Sequence, residues 1–263
     1  MESDPRAWIA TLHGSHDRLV ELAGPMAPEQ VRAQSYCREW TIAQVLSHLG
    51  SGAEIAMMML PAALGTAQPP GLEAFKPVWD RWNGKSPGEQ AADALAIDEE
   101  HVASLERLSD AELAGISLSL FGMQFDAAGL VRLRLSEHAL HSWDIAVAVD
   151  PAAVVSQDAV VLLIDNVPQF LAARLAKPPE QPFRLRIRTS EPDRDYLLDA
   201  GEKVTMTDWP AGGAGEEGVA EIAMPAEALL RLAAGRLDPM RTPASVTGDP
   251  ADLDRLRAIF PGF

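Results

Sequence analysis

The sequence predicts an α+β protein, with an antiparallel four-helix bundle over residues 1–178 and a small mixed α/β unit over residues 179–263. Three observations carry that expectation. Up to about residue 175, apolar residues recur at spacings of three and four between Ser, Thr and Asp caps, which is helical periodicity. Beyond Pro179 the pattern changes to alternation over short runs, the signature of half-buried strands. Between the two stands Lys177-Pro178-Pro179, which ends a helix and marks a boundary.

The elements follow in order. Asp4-Pro5 starts the first helix, with Asp as cap and Pro at its first position. Trp8, Ile9, Leu12, Leu19 and Ala23 follow at helical spacing until Gly24-Pro25. Thr41 and Gln44 have the capping-box spacing and open a second helix, with Ile42, Val45, Leu46 and Leu49 as its buried stripe. Residues 61–87 contain Pro61, Pro69, Pro70, Pro77 and Pro87 and read as a long connection, a kind of segment that often covers a site. Ser86-Pro87 starts a third helix containing Leu95, Val102 and Leu105. Residues 116–125 read as a short hairpin around Gly122. Asp126 caps a long fourth helix to about Val149, and Ser156 caps a fifth to about Leu175.

In the second unit, residues 183–190, 203–207 and 219–224 read as strands, with a glycine-rich loop from Ala211 to Gly218. Pro225 opens a helix that stops at Gly235, Ala244 to Thr247 reads as a last strand, and Pro250 opens a final helix.

A chain of 263 residues is long enough to bury a sizeable core. Its formal net charge of −16 argues against nucleic acid and anionic membrane surfaces as partners, since neither would meet a basic patch. No apolar run approaches the roughly 18 residues that a membrane span needs. The start, MESDPRAWIA, has neither the basic residues nor the apolar run of a signal peptide. The single cysteine, Cys37, has no partner within the chain for a disulfide, which suits a reducing compartment. The expectation is a cytoplasmic protein that acts on small molecules. Monomer and homodimer are equally compatible with it.

The fourth helix carries the chemistry. Its predicted inward stripe is Leu130, Leu133, Glu137, Leu140, His141, Asp144 and Ala148, in which three positions are ionisable. A carboxylate buried without a partner costs on the order of several kcal/mol, so such positions are normally paired or bind metal. Glu137 and His141 lie one turn apart on one face and can reach the same ion. His48, at the edge of the second helix's stripe, is the nominated third ligand, and His16, in line with Leu12 and Leu19, is its rival. Two imidazoles and one carboxylate leave positions open on the ion, as catalytic sites require. Asp144 is placed to orient a ligand through a hydrogen bond. His101 and His138 are expected on exposed faces, and Cys37 as a small packed side chain, with a reactive thiol or a metal ligand as its alternatives.

Two segments resemble a known family. Residues 35–49, SYCREWTIAQVLSHL, are similar to the segment that opens the second helix in mycothiol-dependent maleylpyruvate isomerases. Residues 134–144, RLSEHALHSWD, are similar to that family's later metal-binding helix. The resemblance implies a DinB-like bundle, a small sterol-carrier-like α/β domain, and a divalent metal, zinc by preference, on His48, Glu137 and His141. It implies mycothiol as the thiol cosubstrate and a small electrophile as substrate. Arg236, in the Gly235-Arg236 element, suits a substrate carboxylate through its planar fork. A helix-end arginine on its own carbonyls is the competing account. Isomerisation and thiol transfer both fit the resemblance. Hydrolysis by a metal-activated water and non-enzymatic ligand binding stay open beside them.

Overall fold

The computed structural model describes residues 4–120, 122–168, 176–211 and 218–262. The chain divides into two compact units, Met1–Val154 and Val155–Phe263.

In the first unit, α1 (Pro5–Ala23) starts on the Asp4 carboxylate, which accepts from the Arg6 amide. A single turn, α2 (Pro28–Val31), leads to α3 (Ile42–Ala63). The capping box of α3 is formed: Thr41 Oγ1 accepts from the Gln44 amide, and Gln44 Oε1 accepts from the Thr41 amide. After α4 (Lys76–Asn83) comes α5 (Pro87–Glu106), capped in the same way by Ser86 and Glu89. A short α6 (Asp110–Gly115) precedes the hairpin of β1 (Leu118–Leu120) and β2 (Met123–Phe125). Gly122 sits in its turn with φ of +74°, a conformation that glycine adopts without steric cost. Asp126 then caps α7 (Ala127–Val149).

Helices α1, α3, α5 and α7 form the bundle. Helices α1 and α5 run antiparallel, since His16 meets Asp98 while the earlier His13 meets the later Glu106. Helices α3 and α7 also run antiparallel, through His48 to Glu137 and the Leu49 carbonyl to Arg134. Gly50 allows α3 to approach closely: a Cβ there would lie 2.4 Å from the Trp82 ring and 3.0 Å from the Ala94 Cα.

The stretch from 61 to 87 is more structured than its prolines suggest. Pro61 lies in the last turn of α3, and α4 packs on α3 with Val78 and Trp82 buried. The Trp82 indole N–H donates to Glu54 at 2.8 Å, and the Lys85 ammonium lies 3.6 Å over its ring.

The second unit begins earlier than the prolines at 178 and 179 suggest. Helix α8 (Gln157–Leu163), expected in the bundle, belongs to this unit, where it packs on α9 (Ala226–Ala233). The expected continuation of this helix to Leu175 runs into residues 169–175, outside the described residues. A four-stranded sheet has the order β5-β4-β3-β6, formed by β3 (Phe183–Ser190), β4 (Arg194–Ala200), β5 (Val204–Asp208) and β6 (Ala220–Pro225). Strands β3, β4 and β5 are antiparallel neighbours, and β6 lies parallel to β3. Leu185 and Ile187 pair with Leu198 and Tyr196 on the buried face.

Strand β4 has no counterpart among the sequence expectations, because it buries Tyr196, Leu197 and Leu198 in succession and so lacks the alternation of a half-buried strand. Its Asp195 is the bidentate partner of Arg186, at 2.9 and 2.5 Å. The strand expected at 244–247 is reduced to a single bridge, Thr247 to Ala223. Helix α10 (Pro250–Ile259) closes the unit as expected. Residues 212–217 of the expected glycine-rich loop lie outside the described residues.

Candidate metal centre

Three side chains from two helices converge near the start of α3. His48 Nε2 lies 3.1 Å from Glu137 Oε2, and His141 Nε2 lies 3.6 Å from the same oxygen. The His48 and His141 rings stand 4.7 Å apart, edge to face. One ligand atom from each residue lies within 4.8 Å of the other two. Partial burial pushes the Glu137 carboxyl up. Hydrogen bonds and positive charge from His141 and His48 outweigh that effect and hold it well below the usual carboxylate range. The carboxylate is thus ionised wherever the protein is folded near neutral pH.

Asp144 lies where a ligand-orienting group is needed. It is fully buried, and its Oδ2 accepts from His141 Nδ1 at 2.8 Å. A proton on Nδ1 suits that bond, and with an ion bound in place of the proton shared with Glu137, Nε2 would be the nitrogen that faces it. The donor set of two imidazoles and one carboxylate, with one imidazole already held by a carboxylate behind it, fits a divalent ion of the zinc type.

Two neighbours outside the nominated ligand set lie against it. The Cys37 thiol donates to the same Asp144 oxygen at 3.1 Å, and its sulfur lies 4.0 Å from His141 Nδ1. The Trp40 ring lies against both imidazoles, 5.1 Å from His48 and 6.0 Å from His141. Both residues belong to the 35–49 segment, and their nearness to His48 in sequence was the available signal.

The expectation that His101 and His138 are exposed is overturned, since they are 4% and 0% exposed. Helix α7 is covered on two faces, and the one facing α1 carries His138. The expected stripe faces α3, where Glu137 stays half-exposed, while Ala148 is exposed.

His16, the rival ligand, joins His138 in a second, closed cluster. Both rings lie 2.8 Å from Asp98 Oδ2, and Arg134 donates to Oδ1 at 2.6 Å. Ser15 meets the remaining nitrogen of His138 at 2.8 Å. Burial pushes the Asp98 carboxyl up, and the charges of His138 and Arg134 overcome this and hold it well below the usual range. With its carboxylate shared among three donors, this cluster is a hydrogen-bonded core network.

A cavity of about 360 Å³ opens beside the metal-type cluster. His48 and Glu137 form part of its wall, and the rest is largely aliphatic.

Arg236 lies in the second unit, 7% exposed, and donates to the Ala234 carbonyl at 3.0 Å. This contact is the one that the helix-end account describes.

The fold and the cluster define the class as an antiparallel helix bundle with a ligand-type His–Glu–His cluster, followed by a small α/β domain. The family model described as the mycothiol maleylpyruvate isomerase N-terminal domain matches residues 12–146, and its C-terminal counterpart matches residues 158–255. The chain therefore belongs to the mycothiol-dependent maleylpyruvate isomerase family, a family of enzymes.

Among solved structures it is similar to a mycothiol-dependent maleylpyruvate isomerase, with 12% identity, 94% of each chain covered and a TM-score of 0.68. A histidine-to-alanine mutant of a mycothiol-dependent maleylpyruvate isomerase gives the same identity and coverage with a TM-score of 0.67. A search of curated protein sequences finds no match. Among the described residues, no helix is long and apolar enough to cross a membrane.

Proposed function

We propose that this chain is a metal-dependent enzyme that uses mycothiol to attack a small electrophile, giving cis–trans isomerisation or thiol transfer. The observation that carries this reading is the convergence of His48, Glu137 and His141 within 4.8 Å beside a cavity. These residues would hold a divalent ion, zinc by preference. Bound there, the ion would supply the positive charge that lets a thiol lose its proton near neutral pH.

The remaining chemistry follows from the chain and the thiol. Glu137 stays ionised to hold positive charge, and Asp144 holds His141 in the tautomer that presents Nε2. In isomerisation the sulfur forms a bond to one alkene carbon, and the π electrons move to the adjoining carbonyl. The carbon–carbon bond turns, the electrons return, and the carbon–sulfur bond breaks to release the thiolate. In transfer the new carbon–sulfur bond stays and the leaving group departs with its electron pair. The single, unpaired cysteine of the chain supports a cytoplasmic setting.

The resemblance implies Arg236 as a clasp for a substrate carboxylate; in the present reading Arg236 keeps its contact with the Ala234 carbonyl, and Arg236→Lys should leave KM and metal content unchanged.

The reading as a whole is tested with His48→Ala. Elemental analysis should show loss of bound zinc, and mycothiol-dependent consumption of electrophile should fall to background while the circular dichroism spectrum is retained. Full activity in a metal-free sample would sink the proposal. Turnover that does not need the thiol would point to hydrolysis instead.

A further inference from the structure

We propose that the electrophile taken at this site has an uncharged, elongated apolar body, which lodges in the cavity with its reacting end at His48 and Glu137. This inference rests on the reading above and names its substrate class. It comes from the shape and the wall of the cavity.

The wall follows one face of α3 from His48 through Gly52, Ala56 and Met59 to Ala63. Fifteen residues separate its ends, about 22 Å of helix at 1.5 Å per residue. Opposite this face stand Leu105 of α5, Leu118 and Leu120 of β1, and Leu130 and Leu133 of α7. The space is therefore long and aliphatic, and its polar end is the one that holds the metal-type cluster.

Two other polar residues touch this wall, and neither offers charge to a ligand. Arg134 meets its counter-charge at Asp98, 2.6 Å away, and donates to the Leu49 carbonyl at 2.9 Å; its Nε has no hydrogen-bond partner among the described residues, but that atom is buried rather than presented to the cavity. His101 is buried, and its Nδ1 has no hydrogen-bond partner among the described residues. Burial, and then the nearby Arg134 charge, push the His101 imidazole down to about 3, so the ring is neutral. A carboxylate seated along this wall would give up its water and gain no uncompensated cation. An alkyl or arylalkyl chain gains by leaving water and loses no hydrogen bonds.

The test separates binding from chemistry. Zinc-loaded full-length protein is titrated with 1-octanol, an unreactive probe, and separately with maleate, a compact dianion. Octanol should bind saturably and at least tenfold more tightly than maleate. Ala56→Phe, which fills the middle of the cavity, should weaken octanol at least tenfold with zinc content unchanged. Leu133→Phe, from the opposite wall, serves the same purpose should the first variant misfold. A series of primary alkyl iodides with mycothiol should then show kcat/KM rising with chain length.

Maleate binding as tight as octanol, or octanol binding untouched by both substitutions, overturns the inference even if thiol transfer is observed. Octanol binding with no thiol consumption leaves the cavity assignment standing and removes the thiol reading.

Discussion

The bundle contains two clusters built from the same parts, and they behave in opposite ways. His16, Asp98 and His138 are 5%, 1% and 0% exposed, with the carboxylate divided among two rings and a guanidinium. His48, Glu137 and His141 lie at a cavity, with a half-exposed carboxylate and one imidazole held from behind by Asp144. The first cluster uses its hydrogen-bonding capacity inward, to join α1, α5 and α7. The second brings one ligand atom from each residue towards a common point. Ligand-type residues at ligand-type distances are therefore not enough, and what else the carboxylate is bonded to decides between packing and binding.

The comparison can be broken most directly at Asp98. Asp98→Ala leaves Arg134 buried without its counter-charge and strips two imidazoles of their acceptor. Stability should fall by about 3–5 kcal/mol, read from urea unfolding. Zinc bound per folded molecule should not change, and loss of zinc with stability intact would mean that the roles are reversed.

The open cluster responds differently. Asp144→Asn removes the charge that fixes His141 and should lower zinc affinity about 10- to 100-fold, measured by chelator competition. An unchanged affinity would remove Asp144 from the site.

The smallest effect concerns pH. His101 is held down to about 3 in the fold and returns to 6.5 when unfolded. Between those values the unfolded chain binds the extra proton, so stability falls as pH drops from about 6.5 towards 3. The lowered His138, whose burial is the main cause, acts in the same direction. His101→Leu should flatten this slope, checked by urea unfolding at stepped pH. Tryptophan fluorescence suits the measurement, since five of the six tryptophans lie in the first unit.

Much of this architecture was legible in the sequence because its signals are local. Asp4-Pro5, the Thr41–Gln44 and Ser86–Glu89 boxes and Asp126 each specify a helix start from neighbouring residues, and each is formed. The Glu137–His141 pair was legible for the same reason, since one turn of helix brings the two together. What escaped depends on remote partners. Strand β4 buries three residues in succession, and its place is fixed by pairing, with Asp195 matched to Arg186 of the neighbouring strand. Helix α4 was hidden by prolines at its borders, and its place is set by Trp82 fitting over Gly50. His138 was expected in water because nothing in its own helix announces Asp98, forty residues away. The unit boundary was misplaced because Pro178-Pro179 looks like a linker, whereas the packing of α8 on α9 is not written locally.

The indole of Trp40 rests against both imidazoles of the open cluster. Light emitted by an indole is sensitive to the charge and protonation of rings beside it, so an ion held by those imidazoles would be reported optically by Trp40. Titration with zinc should change emission in the native protein and leave Trp40→Phe unmoved, which turns occupancy into something seen without any added label.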